Sequence, residues 1–247
     1  MSVSSKFSAW TIIISAATVL MITMGGRQVF GLFVLPINMA TGLGIVSISF
    51  ALAVGQLLWG TVQPFFGAIA DKWGSYRVIV FGALLLASGL ALTPVASSEW
   101  SLLLTMGVLS AAGAGAGSFS ILIGATARSI PPERRSFAAG LINAGGSFGQ
   151  FLFAPLSQAV IGAFGWVSAM LVLAATALFT IPLAWPLRGG ATSFQPSISK
   201  LPGGMWKQTL LALRDPSYLC LHAGFFTCGF HVAFLVTHLP GEVALSG

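Results

Sequence analysis

The chain has 247 residues, of which 6% are Asp, Glu, Lys or Arg, and its mean hydropathy is +0.93. An ordinary soluble domain is roughly 25% charged, so this composition excludes a soluble fold. The net charge of +6 does not indicate nucleic-acid binding, because no basic face is interleaved with base-stacking aromatic residues.

Long uncharged runs predict transmembrane helices, since a helix needs about 20 predominantly apolar residues to cross a bilayer. The stretches NMATGLG (38–44) and GAFG (162–165) each divide one long run in two. The seven predicted helices are 10–35, 47–70, 77–95, 100–126, 137–161, 166–186 and 217–239. These runs lack the alternating polarity of a membrane barrel, so the predicted fold is an all-α polytopic membrane protein.

The basic residues predict the orientation of the chain. If the N-terminus is cytoplasmic, ten of the eleven basic residues fall on the cytoplasmic side, as the positive-inside rule requires. These ten are Lys6, Lys72, Arg77, Arg128, Arg134, Arg135, Arg188, Lys200, Lys207 and Arg214. We therefore expect a multi-pass protein of the cell (inner) membrane, with the lipid bilayer and its acidic headgroups as a partner.

Three parts are predicted along the chain. Residues 1–186 form a six-helix bundle, residues 187–216 form a cytoplasmic linker, and residues 217–247 supply a seventh helix without partners of its own. In the linker, Trp206, Leu210 and Leu213 recur at helical spacing and suggest a surface helix, with a flexible loop as the alternative. The unpartnered helix predicts a truncated chain that lacks a C-terminal half of about five more helices.

Arg27 lies within the first predicted helix, where a charged side chain costs about 2.5–3.5 kcal/mol. We interpret it as an anion receptor facing a water-accessible cavity, since the guanidinium fork matches a carboxylate. Thr23, one turn earlier, could share its face. The alternative is an arginine that snorkels to the interface or binds backbone carbonyls. No acid lies inside a predicted helix, because helix ends and loops hold all five: Asp71, Glu99, Glu133, Asp215 and Glu242.

Polar residues recur at helical spacing on two further helices. Helix two carries Gln56 and Gln63 on one face, with Trp59 nearby. Helix five carries an i, i+4, i+7 stripe of Asn143, Ser147 and Gln150. Both stripes are predicted to point inward, where Gln56, Gln63, Asn143 and Gln150 would bind substrate oxygens. Hydrogen bonding between helices is an equal alternative.

The loop between helices two and three reads GAIADKWGSYRVI (67–79). It resembles the Gly-x3-Asp-basic-x-Gly-x-x-basic signature of the major facilitator superfamily, although two positions that are basic in the family are Ser75 and Tyr76 here. The resemblance implies a twelve-helix carrier of which this chain is the N-terminal half plus helix seven. It also implies that Asp71 contacts neighbouring helix ends and helps to control the conformational switch, within a gating set of Gly67, Asp71, Gly74 and Arg77. A helix cap with positive-inside charges is the alternative.

Two segments resemble the oxalate/formate antiporter and monocarboxylate carrier branch of that superfamily: PPERRSFAAGLINAGGSFGQFLFAPL (131–156) and GFFTCGFHVAFLVTHLP (224–240). The second segment includes His231, a candidate for proton coupling, although a histidine used in packing is the more frequent case.

The predicted function is secondary active or facilitative transport of a small organic anion, monocarboxylate-like, by alternating access. Efflux of neutral or cationic amphiphiles by the same fold is one alternative, and a non-transporting receptor or regulatory fragment is another. The sequence contains no catalytic constellation and no metal or cofactor motif. We therefore expect a carrier rather than an enzyme, with no cofactor.

Overall fold

The computed structural model describes residues 8–188, 210–211 and 213–246. The predicted surface helix, with Trp206, lies largely outside the described residues. No strand occurs in the described part of the chain, so the all-α prediction is confirmed. The helices are α1 (Ala9–Gln28), α2 (Val34–Thr41), α3 (Ile45–Trp73), α4 (Ser75–Leu92), α5 (Glu99–Leu102), α6 (Ser110–Ala116), α7 (Phe119–Ala127), α8 (Arg135–Leu183) and α9 (Pro216–Ser246).

Six helical segments in the described residues are long and apolar enough to cross a membrane, and the longest contains two spans. Within α8, Gly165 has φ 81° and ψ 165°, a conformation that lies outside the helical region and that L side chains rarely adopt. The break falls in the predicted GAFG boundary and separates the fifth span from the sixth. The seven predicted helices are therefore all found.

The first span is interrupted, whereas the sequence predicts one helix over 10–35. α1 ends at Gln28, a 3-10 helix covers Val29–Phe33, and α2 continues to Thr41. Gly25, Gly26 and Gly31 surround the transition, and glycine weakens an α-helix relative to other residues. The 3-10 helix thus begins two residues after Arg27.

The fourth span also differs from its prediction of one helix over 100–126. A π-helix covers Leu103–Leu109 between α5 and α6. The helix is then interrupted at Gly117 and Ser118, before α7 begins. The Ser110 hydroxyl donates to the carbonyl oxygen of Thr105, 2.9 Å away, where the π-helix passes into α6. The GAGAGS run (113–118) thus ends a helix instead of lying inside one.

Glycines bring α1 against the first half of α8. A Cβ atom on Gly145 would stand 2.7 Å from the carbonyl oxygen of Ala17, and one on Gly149 would collide with that of Met21. The absence of side chains at these two positions therefore allows α1 and α8 to pack closely. Apolar side chains fill two clusters, one that includes Phe33 and another that includes Leu20.

The second span, α3, approaches the fourth span at three levels. Near the start of α3, the Ser47 hydroxyl donates to Oε1 of Glu99 over 2.6 Å. Midway, Gly55 lies so close to the π-helix that a Cβ atom on it would stand 3.4 Å from the carbonyl oxygen of Gly107. At the far end, Asp71 pairs with Arg128, the residue that follows α7. α3 is therefore held to one neighbour along most of its length.

Candidate functional site

Arg27 lies one residue before the end of α1, and its side chain is partly buried. Its guanidinium carbon stands 4.1 Å from the centroid of the Trp59 ring on α3, which makes a cation–π contact worth about 0.5–2 kcal/mol. Within the described residues Arg27 makes no ion pair and no hydrogen bond. Its hydrogen-bonding fork therefore remains available.

A narrow cavity of about 30 Å³ adjoins Arg27, with space for one or two waters. Arg27 and Gln56 are its polar side chains, and none of the eight described residues that line it is acidic. The others are Phe30, Gly31, Leu52, Gly55, Met106 and Ala111. The first, second and fourth spans therefore enclose a cationic site with apolar walls.

Of the predicted amides, the structure brings one to this cavity. Gln56 lines it, three residues before Trp59 on the same face of α3. Gln63 is partly buried two turns further along α3, and it does not line the cavity.

The predicted stripe on helix five lies elsewhere. Asn143 and Ser147 are exposed and Gln150 is partly buried, and none of the three lines the Arg27 cavity. The face of α8 that packs on α1 is the glycine face, because backbone contact between helices requires residues without side chains. Asn143 and Ser147 are therefore not packed inside the described bundle, and the role of this stripe in binding a substrate stays a prediction.

Thr23 is buried at 5% exposure, away from the cavity-lining residues. Its hydroxyl donates to the carbonyl oxygen of Gly117, 3.1 Å away, and lies within 3.3 Å of the carbonyl oxygens of Val19 and Leu20. A Cβ atom on Gly117 would stand 2.6 Å from the Thr23 methyl group. Thr23 thus satisfies a carbonyl at the break in the fourth span instead of facing the cavity with Arg27.

The predicted gating residues surround the turn between α3 and α4. Gly74 forms the turn with φ 92°, which favours glycine, while Gly67 lies within α3 and Arg77 is exposed on α4. Asp71 pairs with Arg128, whose side chain is 6% exposed against 61% for Asp71. This pair joins the GAIADKWGSYRVI motif (67–79) to the end of α7, and this contact of Arg128 was not predicted from the sequence.

His231 is exposed on α9, and the side chain of His238 lies outside the described residues. The described part of the chain contains no group of three or more His, Cys, Asp or Glu side chains placed to hold a metal ion. The structure thus concentrates the predicted site on Arg27 and Gln56.

Sequence reasoning missed Trp59 as the group that contacts Arg27, and it missed Phe30 and Met106 as apolar walls. Trp59 had one usable signal, its i+3 spacing from Gln56 on a helix adjacent to Arg27. Met106 had none, because the π-helix that carries it changes the helical phase of the fourth span.

Comparison with known proteins gives the same family over most of the chain. Residues 16–245 match the model of the Major Facilitator Superfamily. Monocarboxylate transporter 13 of Rattus norvegicus is 27% identical over 237 residues, which cover 93% of this chain and 53% of that protein. The oxalate:formate antiporter of Oxalobacter formigenes is 23% identical over 241 residues, covering 93% of this chain and 54% of that protein.

A solved structure shares the fold. It is that of a bacterial homologue of the human lysosomal transporter Spinster, in an inward-facing and unoccupied conformation, with a TM-score of 0.67 and 15% identity. The match covers 96% of this chain and 59% of that one. The chain spans about half the length of the curated relatives named above.

Proposed function

The chain belongs to the Major Facilitator Superfamily, and we propose on this premise that the complete carrier moves a small organic anion by alternating access. The observation that carries this proposal is Arg27, a partly buried guanidinium in a cavity whose described lining includes no acid. A planar fork of N–H donors binds a carboxylate in two places at once. Gln56 supplies a further polar contact beside it.

The rest of the cavity favours a monocarboxylate with a small apolar substituent. Phe30, Leu52 and Met106 present apolar surface next to the guanidinium. Relatives with the printed names monocarboxylate transporter and oxalate:formate antiporter support small carboxylates as the broader substrate class. The cavity of about 30 Å³ is small, so it suits a small anion better than a bulky one.

Replacement of Arg27 tests the proposal in the complete carrier. Proteoliposomes would be assayed for counterflow of labelled formate, acetate and oxalate. We expect Arg27→Gln to lower kcat/KM by about tenfold or more, because a charge-assisted hydrogen bond is worth about 1.5–3 kcal/mol. Arg27→Lys keeps the charge but loses the two-pronged geometry, so it should restore only part of the activity.

Arg188 provides a matched control, because it also stacks on aromatic rings. Its guanidinium carbon lies 3.5 Å from the Trp185 ring centroid and 4.4 Å from that of Tyr76, outside the Arg27 cavity. Arg188→Gln should leave kcat/KM unchanged. Unchanged affinity and rate in Arg27→Gln would remove Arg27 from the substrate site. Binding of the anions without counterflow would favour a receptor, and transport of amphiphilic cations alone would favour the efflux alternative.

A further inference from the structure

The Trp59 side chain stacks on Arg27 through its ring face, but its N–H lacks a hydrogen-bond partner in the described part of the chain. The face of its ring is covered by the Arg27 guanidinium. Its indole nitrogen Nε1 is fully buried and has no hydrogen-bond partner among the described residues. A buried N–H donor is normally paired, because leaving it unpaired sacrifices the hydrogen bond it made with water. Stacking on Arg27 explains why an aromatic ring lies here. It does not explain why the buried N–H has no hydrogen-bond partner in the described bundle.

The unpaired N–H lies on the side of the indole that faces the fourth span. A Cβ atom on Gly115 would stand 3.8 Å from Cδ1 of Trp59, and Cδ1 is bonded directly to Nε1. Gly115 follows Ala111 by four residues in α6, which places both on one face, and Ala111 lines the Arg27 cavity. This contact places the edge of the indole that carries the N–H against the face of α6 on which Ala111 borders the cavity, while Trp59 itself is not among the described residues that line the cavity.

We propose that Trp59 is a substrate-binding residue whose indole N–H donates to the carboxylate held by Arg27. This inference rests on the proposed function. A carboxylate has two oxygens and about four acceptor positions, so both oxygens can accept from the guanidinium fork while one of them also accepts from the indole N–H. The guanidinium already lies over the ring that carries the N–H, so both donors reach one anion when the helices separate.

In this proposal the ring face and the N–H edge of Trp59 have different roles. The ring face holds the Arg27 guanidinium by a cation–π contact, which keeps the charge in place without the competition of an acidic partner. The ring edge then recognises the anion directly. An acid in place of Trp59 would neutralise Arg27 and reduce its attraction for a carboxylate, whereas an aromatic ring leaves the positive charge intact.

Two substitutions of Trp59 distinguish these roles in the complete carrier. Trp59→Phe keeps a ring under Arg27 and removes the N–H, while Trp59→Leu removes both. For counterflow of labelled acetate, formate and oxalate, we expect Trp59→Phe to raise KM about tenfold, the usual effect of losing a hydrogen bond to a charged group, with kcat near that of the unmodified carrier. Trp59→Leu should reduce kcat/KM further.

Trp185→Phe is the matched control, because Trp185 also stacks with an arginine, Arg188, and that arginine does not line the cavity as Arg27 does. It should leave KM unchanged. If Trp59→Phe does not fold, 3-benzothienylalanine at position 59 keeps the indole shape without the N–H and should raise KM to the same extent. A KM within twofold of the unmodified carrier for either change would overturn the role of Trp59 while the proposed function stands. Failure of the unmodified carrier to bind or move any of these anions would overturn both.

Discussion

The Asp71–Arg128 pair shows how two residues at helix ends can hold two spans together. Asp71 lies near the C-terminal end of α3, where the helix dipole disfavours a negative charge. Arg128 follows the C-terminal end of α7, where the dipole favours a positive charge, and its side chain is almost fully buried. The ion pair therefore offsets the unfavourable position of the carboxylate.

A double-mutant cycle measures this pair. We expect Asp71→Asn, Arg128→Gln and the double variant to give a coupling free energy of about 0.5–1.5 kcal/mol, because the aspartate is exposed while the arginine is buried. The measurement is the free energy of unfolding of the complete carrier in detergent. Arg77→Gln is the control, since Arg77 is exposed and should show no coupling to Asp71→Asn. A coupling of zero between Asp71 and Arg128 would contradict the prediction.

Single residues differ in how far the sequence reveals them. Arg27 could be identified because a charge within an apolar run has a large energetic cost and demands an explanation. The charge pattern could not pair Trp59 with it, because Trp59 carries no charge; its i+3 spacing from Gln56 was the one usable signal. Thr23 illustrates the opposite error, since its spacing from Arg27 suggested one shared face, whereas its hydroxyl is used by the backbone of Gly117.

At the scale of elements, the contact between α1 and α8 depends on the absence of side chains. Gly145 and Gly149 are one helical turn apart and face successive carbonyl oxygens of α1, those of Ala17 and Met21. A neighbouring backbone cannot move away without disturbing the whole helix. These positions should therefore tolerate substitution far less than other glycines of α8.

We expect Gly149→Ala to destabilise the complete carrier by roughly 1–3 kcal/mol, because the added methyl group collides with the Met21 carbonyl. Gly140→Ala, on the same helix, meets nothing within 4 Å and should be neutral or stabilising by up to about 1 kcal/mol. Thermal unfolding in detergent measures both changes. Equal stability of the two variants would show that the close approach of α1 and α8 is absent.

The helices themselves could be predicted from apolar runs, because a bilayer leaves a helical chain no alternative for its backbone hydrogen bonds. The irregular segments within these helices could not be predicted from the sequence. The 3-10 helix over Val29–Phe33 and the π-helix over Leu103–Leu109 contain no charged residue and lie within their spans, so they leave the hydropathy signal of each span unbroken. The break at Gly165 was predictable because it coincides with a loop between spans.

The whole molecule segregates its charge. Apart from Arg27, the described basic residues of the bundle lie at helix ends, and the alternation of spans places those ends on one face. This arrangement supports the proposal that the N-terminus is cytoplasmic. It also accounts for the basic pI of about 10.0 without any nucleic-acid partner.

Cysteine labelling tests this orientation. In a background of Cys220→Ser and Cys228→Ser, both exposed positions, single cysteines would be introduced at Ser97 and Glu133. Ser97→Cys, between the third and fourth spans, should react with a membrane-impermeant maleimide in intact cells. Glu133→Cys, between the fourth and fifth spans, should react only after permeabilisation. The reverse pattern would place the N-terminus outside the cell.

The three attachments of α3 to the fourth span have a mechanical consequence. Ser47 and Glu99 link the two near one membrane face, Asp71 and Arg128 link them near the other, and Gly55 and Gly107 touch between. When the contact at one end of α3 opens, α3 would pivot about the contact between Gly55 and Gly107. Gln56, which follows Gly55, lies beside this pivot. If the complete carrier works by alternating access, as proposed, the freed end of α3 can move while Gln56 stays close to Arg27.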